Sequence, residues 1–571
     1  MKLFKAFLAT LLVCASAFAQ SGGTAQISGT VHDPSGSAVP GAAVKATKTD
    51  TDATRTVETG ADGSYILPNL PVGPYRLEIS KDGFSTSVQN GIVLQVASSP
   101  TVEITMQLGA VSQQVQVEAS ALTVETRSSG VGQVVDQQRV VDLPLNGRNP
   151  TDLIYLAGAA AQAPNADLVS TKNYPNEAPI SVAGGAATGT TYMLDGGNHN
   201  DPLNNLALPL PFPDALQEFK VETSALPAMY GQHSGAAVNA VTKSGTNTFH
   251  GDAFEFVRNF MFNARQFNAP ARDTLKRNQY GATIGGPIKK DKLFFFAGYQ
   301  GTDIRSDPSG NFSFVPTQAM LNGDFTTYVA QCNAGKNLAA PFVNNKIAPT
   351  SYNSASLKMM TFFTPATDPC GKEFFGVKQN FDEESGVMKV DYNMSDKQSL
   401  FVRYYATHAV VGTPFDGKNP LTETISGAND LVNSLVIGDT YIINATTINS
   451  LHLTGNRSGV TKTQLPSFDA STLGINMTSL VPGHLVATAT GALYSSTVFS
   501  YAATDPVTAF QGGDDLNMTR GNHQLQFGFT WMHSLQNVYG PLNADGNFTF
   551  NGQTTGVSMA DFLLGDASAF T

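Results

Sequence analysis

Gln524-Leu525-Gln526-Phe527-Gly528-Phe529-Thr530-Trp531 decides the fold. Every second residue is apolar, and those between are polar or glycine. In an extended chain successive side chains point to opposite faces, so this is a strand with one apolar and one polar face. Met388, Val390 and Tyr392 stand in the same way against Lys389, Asp391 and Asn393. After a short turn at Ser395-Asp396-Lys397, Leu400, Val402 and Tyr404 stand against Ser399 and Arg403, with Phe401 and Tyr405 breaking the polar face. In water such strands half-bury in a sandwich; in a lipid barrel the same rhythm sends apolar residues to hydrocarbon and polar ones to the lumen.

From Phe249 onward short turns alternate with long Asn-, Gly- and Pro-rich stretches, notably 303–386 and 456–504, which are expected to be loops. Short turns on one rim and long loops on the other is the outer-membrane pattern. Tyr392, Tyr404 and Trp531 are expected near strand ends, where aromatic girdles meet the membrane interface.

Composition agrees. Charged residues make up 14 % of the 571-residue chain, against 41 % apolar, with 53 Gly, 35 Phe and a single Trp. That charge content is well under the roughly 25 % of soluble domains. The net charge is −11 with no basic run, so nucleic acid is not an expected partner. Lys2 and Lys5, the apolar run Ala6 to Val13 and Ala17-Phe18-Ala19 form a secretory signal over residues 1–19. Bulky Val13 argues against lipoprotein processing at Cys14. Beyond the signal no apolar run is long enough for a membrane helix, so a spanning structure has to be a closed barrel. An exported chain left with Cys332 and Cys370 is expected to join them in one disulfide, closing a loop outside the wall.

Upstream of the strands lies a hinge, Ala215 to Asn247. Leu216 and Phe219, three apart, read as one face of a short helix; Val238 to Lys243 alternates as a strand, and Ser244-Gly245-Thr246-Asn247 is turn chemistry. Residues 120–247 read as a small α/β domain. Val134 to Val141 is strand then short helix, Thr151 to Leu156 is helix-like, Ile180 to Val182 is a strand, and Thr191 to Leu194 runs into an Asp195-Gly196 hairpin signal. Residues 25–108 carry regular strand–turn spacing, as in a small sandwich. Its Asp33-Pro34-Ser35-Gly36 and Asp62-Gly63 are read as turns rather than metal ligands. The connector 109–119 contains the extended Val115, Gln116 and Val117, able to add as a strand to a partner's sheet or to serve as the sandwich's last strand.

No His-Glu-x-x-His, Gly-x-Ser-x-Gly or phosphate-binding glycine loop is present, and His233, His250 and His523 lack ligand spacing. Neither an enzyme nor a cofactor or metal site is expected.

Several motifs then carry a resemblance over nearly the whole mature chain. They include Asp142-Leu143-Pro144-Leu145-Asn146-Gly147-Arg148-Asn149, Leu194-Asp195-Gly196, Gln217-Glu218-Phe219-Lys220-Val221 and Val241-Thr242-Lys243-Ser244-Gly245-Thr246-Asn247. Further on come Arg277-Asn278-Gln279-Tyr280-Gly281, Asp291-Lys292-Leu293-Phe294-Phe295-Phe296 and Ala560-Asp561-Phe562-Leu563-Leu564-Gly565. The chain resembles the TonB-dependent receptors of the Oar-like type, and residues 25–108 resemble the carboxypeptidase regulatory-like domain, a prealbumin-type sandwich without catalytic residues. The resemblance implies a mostly β chain: an N-terminal prealbumin-like β-sandwich (25–108), a connector with a possible TonB box (109–119), a small α/β plug (120–247) and an incomplete outer-membrane antiparallel β-barrel (248–571).

It further implies energy-coupled uptake across the cell outer membrane of an extracellular ligand of unknown class. A TonB-type inner-membrane complex would be the partner, outer-membrane lipid would surround the wall, and Val115, Gln116 and Val117 would be the contact, with Gln113 and Gln114 where the family usually has acids. The alternative is a surface adhesion or carbohydrate-binding protein on the same scaffold. The family's barrel has about 22 strands. The residues from His250 to Thr571 are too few for strands of about ten residues with long loops, so a truncated barrel with two open edges is expected.

Overall fold

The computed structural model describes residues 24–571 apart from 112–113, 119–129, 146, 164–173, 175–178, 232–234, 266, 268–271, 308–309, 425, 445, 480, 491–502, 521–522 and 541–545. The signal segment lies outside the described residues.

Eight strands build the N-terminal sandwich: β1 (Ala25–His32), β2 (Ala43–Lys48), β3 (Thr54–Glu58), β4 (Ser64–Leu70), β5 (Gly73–Ser80), β6 (Thr86–Leu94), β7 (Ile104–Thr105) and β8 (Gln114–Glu118). They form two sheets, ordered β4-β1-β7 and β3-β2-β5-β6-β8. Ile27, Val44, Leu67, Leu77 and Ile79 are completely buried between them. Each such side chain stabilises the sandwich by about 1.5–3 kcal/mol. Asp33 caps its turn by accepting from the Ser35 and Ser37 amides, and Asp62 accepts from Ser64. These hydrogen bonds, those to the serine hydroxyls foremost, hold both carboxyls below the usual carboxylate range, as turn caps do.

The plug contains β9 (Val131–Asp136), the helix Gln137–Asp142, the 3-10 helix Pro150–Ala157, β10 (Ala160–Gln162), β11 (Ile180–Val182), β12 (Thr191–Leu194), β13 (Gly197–Asn198), β14 (Leu216–Ser224) and β15 (Ala237–Thr242). Its five-stranded sheet runs β13-β12-β15-β14-β9, with β12 and β15 parallel. The helix expected around Leu216 and Phe219 is instead strand β14. A bulge between Leu216 and Glu218 shifts the strand by one residue, so two residues three apart face the same core and imitate helical spacing.

The remaining strands are, in chain order, β16 (His250–Asn259), β17 (Lys276–Lys289), β18 (Leu293–Ser306), β19 (Asn311–Phe314), β20 (Lys372–Phe375), β21 (Gln379–Ser395), β22 (Gln398–Val411), β23 (Gly427–Asn444), β24 (Thr447–Thr463), β25 (Val486–Ala489), β26 (Val507–Arg520), β27 (His523–Gln536), β28 (Asn547–Phe550) and β29 (Ala569–Phe570). Nine of them form an antiparallel wall ordered β16-β17-β18-β21-β22-β23-β24-β26-β27. The sheet does not close: among the described residues β16 and β27 each pair on one side only. The two-residue rhythm sorts as expected. Leu431, Leu435, Leu453, Phe510 and Phe529 are exposed on the outer face, whereas Val432, Ser434 and Val436 of β23 are buried against the plug.

Phe401 and Tyr405, which break the polar face of β22, point inward. Tyr405 is buried against Phe212 and Ala215 and donates its hydroxyl to the Leu210 carbonyl at 3.1 Å. The lapse in alternation therefore marks where the wall touches the plug. Tyr392 lies near the end of β21, but Tyr404 and Trp531 sit in mid-strand, so their expected place in an interface girdle is corrected.

The stretches 303–386 and 456–504 are not simply loops. Strand β18 runs on to Ser306, β21 begins at Gln379 and β24 continues to Thr463. Between them, segments from three connections and the stretch after β27 share one apolar core with Phe325, Phe468, Ala560, Phe562 and Leu563 completely or almost completely buried. This cap includes the helices Thr326–Cys332, Ser354–Met360 and Ser558–Leu564 and the sheet β25-β28-β29, which takes up the final Ala569-Phe570. The expectation failed because apolar residues there are spaced irregularly along the chain and converge only in space.

Candidate functional site: the clasp between plug and wall

Strand β12 ends in Leu194, and β13 starts at Gly197 directly opposite it. The two-residue turn between them, Asp195-Gly196, has positive φ at both positions, 51° and 78°. Asp and Gly tolerate that geometry better than other residues, and it defines a tight hairpin of the primed type. The turn aims the Asp195 side chain into the wall. Gly197 then lies so close to the wall that an added Cβ would stand 2.6 Å from Thr454 Oγ1 and Val436 Cγ2. The first glycine serves the turn and the second serves the approach.

Asp195 is 4 % exposed, and both carboxylate oxygens are engaged. Oδ1 accepts from the Thr242 amide and hydroxyl, each at 3.0 Å, and from Lys389 Nζ at 3.1 Å. Oδ2 accepts from the Thr242 hydroxyl at 2.9 Å and from Arg403 Nε at 3.2 Å. One carboxylate thus joins two plug strands, β12 and β15, to two wall strands, β21 and β22. Lys389 and Arg403 are paired across the wall ladder, so their positive charges lie side by side. Arg403 spends its other donors on the Ser434 carbonyl and hydroxyl and on the Leu194 carbonyl. Burial pushes the Asp195 carboxyl up, but Lys389 and Arg403 outweigh it and hold the group below the usual carboxylate range. Nearby His199 donates from Nε2 to the Pro209 carbonyl, 2.8 Å away, and burial followed by the Arg403 charge lowers it to about 3, so it is neutral at physiological pH.

The rest of the contact mixes two apolar patches, Phe212 and Ala215 against Phe296 and Val387, and Leu208 against Val432 and Val460, with further polar bonds. Asn456 Nδ2 donates to the Asn198 carbonyl at 2.7 Å, the Asn198 amide donates to Gln511 Oε1 at 3.1 Å, and Gln279 Nε2 donates to the Gly147 carbonyl at 3.0 Å. Arg148, which pairs with Asp214, lies 4.7 and 4.1 Å from the ring centres of Phe254 and Phe256 on the inner face of β16. Such polar contacts fix the position of the plug, and each can be exchanged for a bond to water.

The residues singled out from sequence fall elsewhere. Val115, Gln116 and Val117 lie in β8, paired in parallel with Ser87, Val88 and Gln89 of β6 at the sheet's edge. They form the last strand of the sandwich's own sheet rather than a free connector. Cys332 and Cys370 are joined in a disulfide with Cα atoms 5.6 Å apart, tying the end of a cap helix to the approach to β20. His250 and His523 begin strands β16 and β27, while His233 lies outside the described residues. Among the described residues no group of three or more His, Cys, Asp or Glu converges to hold a metal ion. In the sequence Asp195, Lys389 and Arg403 stand far apart, as a turn residue and two polar-face residues. The signal available was two long cationic side chains on the polar faces of consecutive strands; that they lie opposite each other follows from the register.

Two family models agree with this architecture. A model described as an outer membrane beta barrel domain matches residues 241–571, and one described as a carboxypeptidase regulatory-like domain matches residues 26–107. The TonB-dependent transporter Oar of Myxococcus xanthus is 32 % identical over 307 residues, which are 51 % of this chain and 28 % of that protein. The outer membrane transporter YddB from Escherichia coli aligns over 74 % of this chain and 50 % of its own, with 12 % identity and a TM-score of 0.44. The siderophore receptor PirA from Acinetobacter baumannii aligns over 71 % and 48 %, with 12 % identity and a TM-score of 0.41. The chain spans under a third of the curated relative and about half of each of these solved structures.

Proposed function

Because the chain belongs to the outer membrane beta barrel domain family, and so to the cell outer membrane, we propose that it acts in TonB-dependent, energy-coupled uptake of an extracellular ligand. One observation carries the reading: a folded plug is clasped inside a lipid-facing wall by Asp195, Lys389 and Arg403, that is, by bonds that can be exchanged for water. A plug held this way blocks the lumen at rest and yields to a directed pull. The long connections and their cap occupy the rim opposite the short turns, which is the outer rim in this family of barrels. The short-turn rim then faces the periplasm, together with the sandwich and β8.

In this reading Val115, Gln116 and Val117 are where an inner-membrane energy-transducing protein adds its own strand, and no catalytic step belongs to the chain. Deleting residues 110–119 is expected to abolish energised accumulation of ligand in the periplasm while leaving the protein in the outer membrane. Unchanged accumulation in energised cells would refute coupling through this segment. The competing reading, surface binding without transport, predicts no accumulation even from the undeleted protein.

A further inference from the structure

The sandwich does not hang free below the plug; it touches the wall directly. Asn69, in β4, is 3 % exposed and has a φ of 52°, a conformation that Asn accepts more readily than most residues. Its Nδ2 donates to Ser450 Oγ of β24 at 2.7 Å, and its Oδ1 accepts from Asn517 Nδ2 of β26 at 3.3 Å. Both wall residues face the lumen near the short-turn rim.

A second contact lies across the mouth. The Asn247 amide, at the end of the plug, donates to the Asp50 carbonyl of the sandwich at 2.9 Å, and its side chain donates to Asp52. The same side chain exchanges hydrogen bonds of 2.6 and 2.8 Å with Asp291, in the turn between β17 and β18. Between these two contacts sandwich, plug and wall enclose a cavity of about 500 Å³, lined by Lys48, Asp50, Lys243, Lys389, Asp391 and Thr440 among others. The cavity lies directly beneath the Asp195 clasp, on the path from lumen to short-turn rim.

We propose that the N-terminal sandwich is a second gate, sealing the lumen at its short-turn mouth below the plug, with Asn69 as the bolt against the wall. The seal follows from these contacts; its service as a gate rests on the transport reading above. The sandwich's interior is apolar, and its grip on the wall, like its contact with Glu218 and Lys220 of the plug, is a few hydrogen bonds, so it moves as one body when these are released. Because β8 is hydrogen-bonded to β6 in the same sandwich, a pull on β8 bears on this body before it reaches the plug.

Thr440→Cys places a thiol on the cavity wall for attack by a membrane-impermeant biotin–maleimide applied from the periplasmic side. In resting outer membranes it is expected to be protected. Asn69→Gly, which suits the positive φ, and separately Ser450→Ala, on the other side of the same bond, are each expected to speed labelling by about tenfold to a hundredfold. Resistance of the sandwich to trypsin in both variants verifies that it remains folded. Equal labelling of Thr440→Cys with and without either change, at the rate of an exposed Ser395→Cys on the same rim, would overturn the seal. In energised cells labelling of the otherwise unaltered chain should rise, and fall again with a protonophore. Protection that energisation never relieves would overturn the gate, whereas the uptake reading itself is judged separately by the 110–119 deletion.

Discussion

In the cap Phe325, Phe562 and Leu563 are shut away from water by other apolar side chains, whereas the seam where plug meets wall buries the charged Arg403, Asp195 and Lys389 beside small apolar patches. The cap is also cross-linked through Cys332 and Cys370. An apolar core loses free energy in proportion to every square ångström re-exposed, so it comes apart only at high cost. A satisfied ion-pair contact behaves differently. Removing one partner strands a buried charge, but separating both bodies lets all the charges rehydrate. The cap is held by apolar packing throughout, while the plug is held in part by charged groups that water can satisfy after separation.

The largest effect expected from breaking this contrast comes from Asp195→Ala. It leaves Lys389 and Arg403 buried without their shared carboxylate and should cost about 3–5 kcal/mol, read as early release of the plug to protease in outer membranes. A loss below about 1 kcal/mol would mean that water already reaches the cluster. Leu435→Lys, at the middle of β23 on the outer face, should destabilise the inserted wall by about 2–4 kcal/mol in urea titrations from lipid vesicles. Gln526→Lys on the inner face of β27 should leave it unchanged, and equal effects at the two sites would argue against a lipid-facing surface.

Replacing Cys332 and Cys370 by serine should cost about 2–4 kcal/mol, confined to the cap. The measurement is faster trypsin cleavage at Lys336 and Lys346 with the wall unaltered; a wall that unfolds in step would join cap and wall into one cooperative unit.

The smallest effect concerns the sandwich and the plug. Glu218 of β14 is buried beneath the sandwich, where its carboxylate accepts from the Val96 amide while neighbouring Lys220 donates to the Ala97 carbonyl at 3.1 Å. Burial raises its pKa to about 7, with Lys220 opposing and Asp136 adding to the rise. A raised carboxyl favours the protonated, docked form. Docking is therefore strongest below the ordinary glutamate range and weakens by on the order of 1 kcal/mol per pH unit as pH rises toward about 7. Glu218→Gln should flatten that dependence, as followed by cross-linking of sandwich to plug across the same range.

The lipid-facing wall was legible because its signal is local: Leu525, Phe527, Phe529 and Trp531 announce a face through a spacing of two, whatever the neighbouring strands are. The turns at Asp33, Asp62 and Asp195-Gly196 were legible for the same reason, since their geometry is set within four residues. Strand β14 was misread because a single bulge gave Leu216 and Phe219 the spacing of a helix. The cap was missed because its core is assembled from segments far apart in the chain.

What the amino acids settle on their own is thus which residues extend, which turn and which face hydrocarbon, because these depend on contacts between near neighbours. That Asp195 meets Lys389 and Arg403, about two hundred positions away, that Asn69 reaches Ser450, and that β8 joins the sandwich were decided only by the packing of whole bodies. Charge and hydrogen-bonding capacity are written in the sequence, but the partner that satisfies them is chosen by the shape of everything in between.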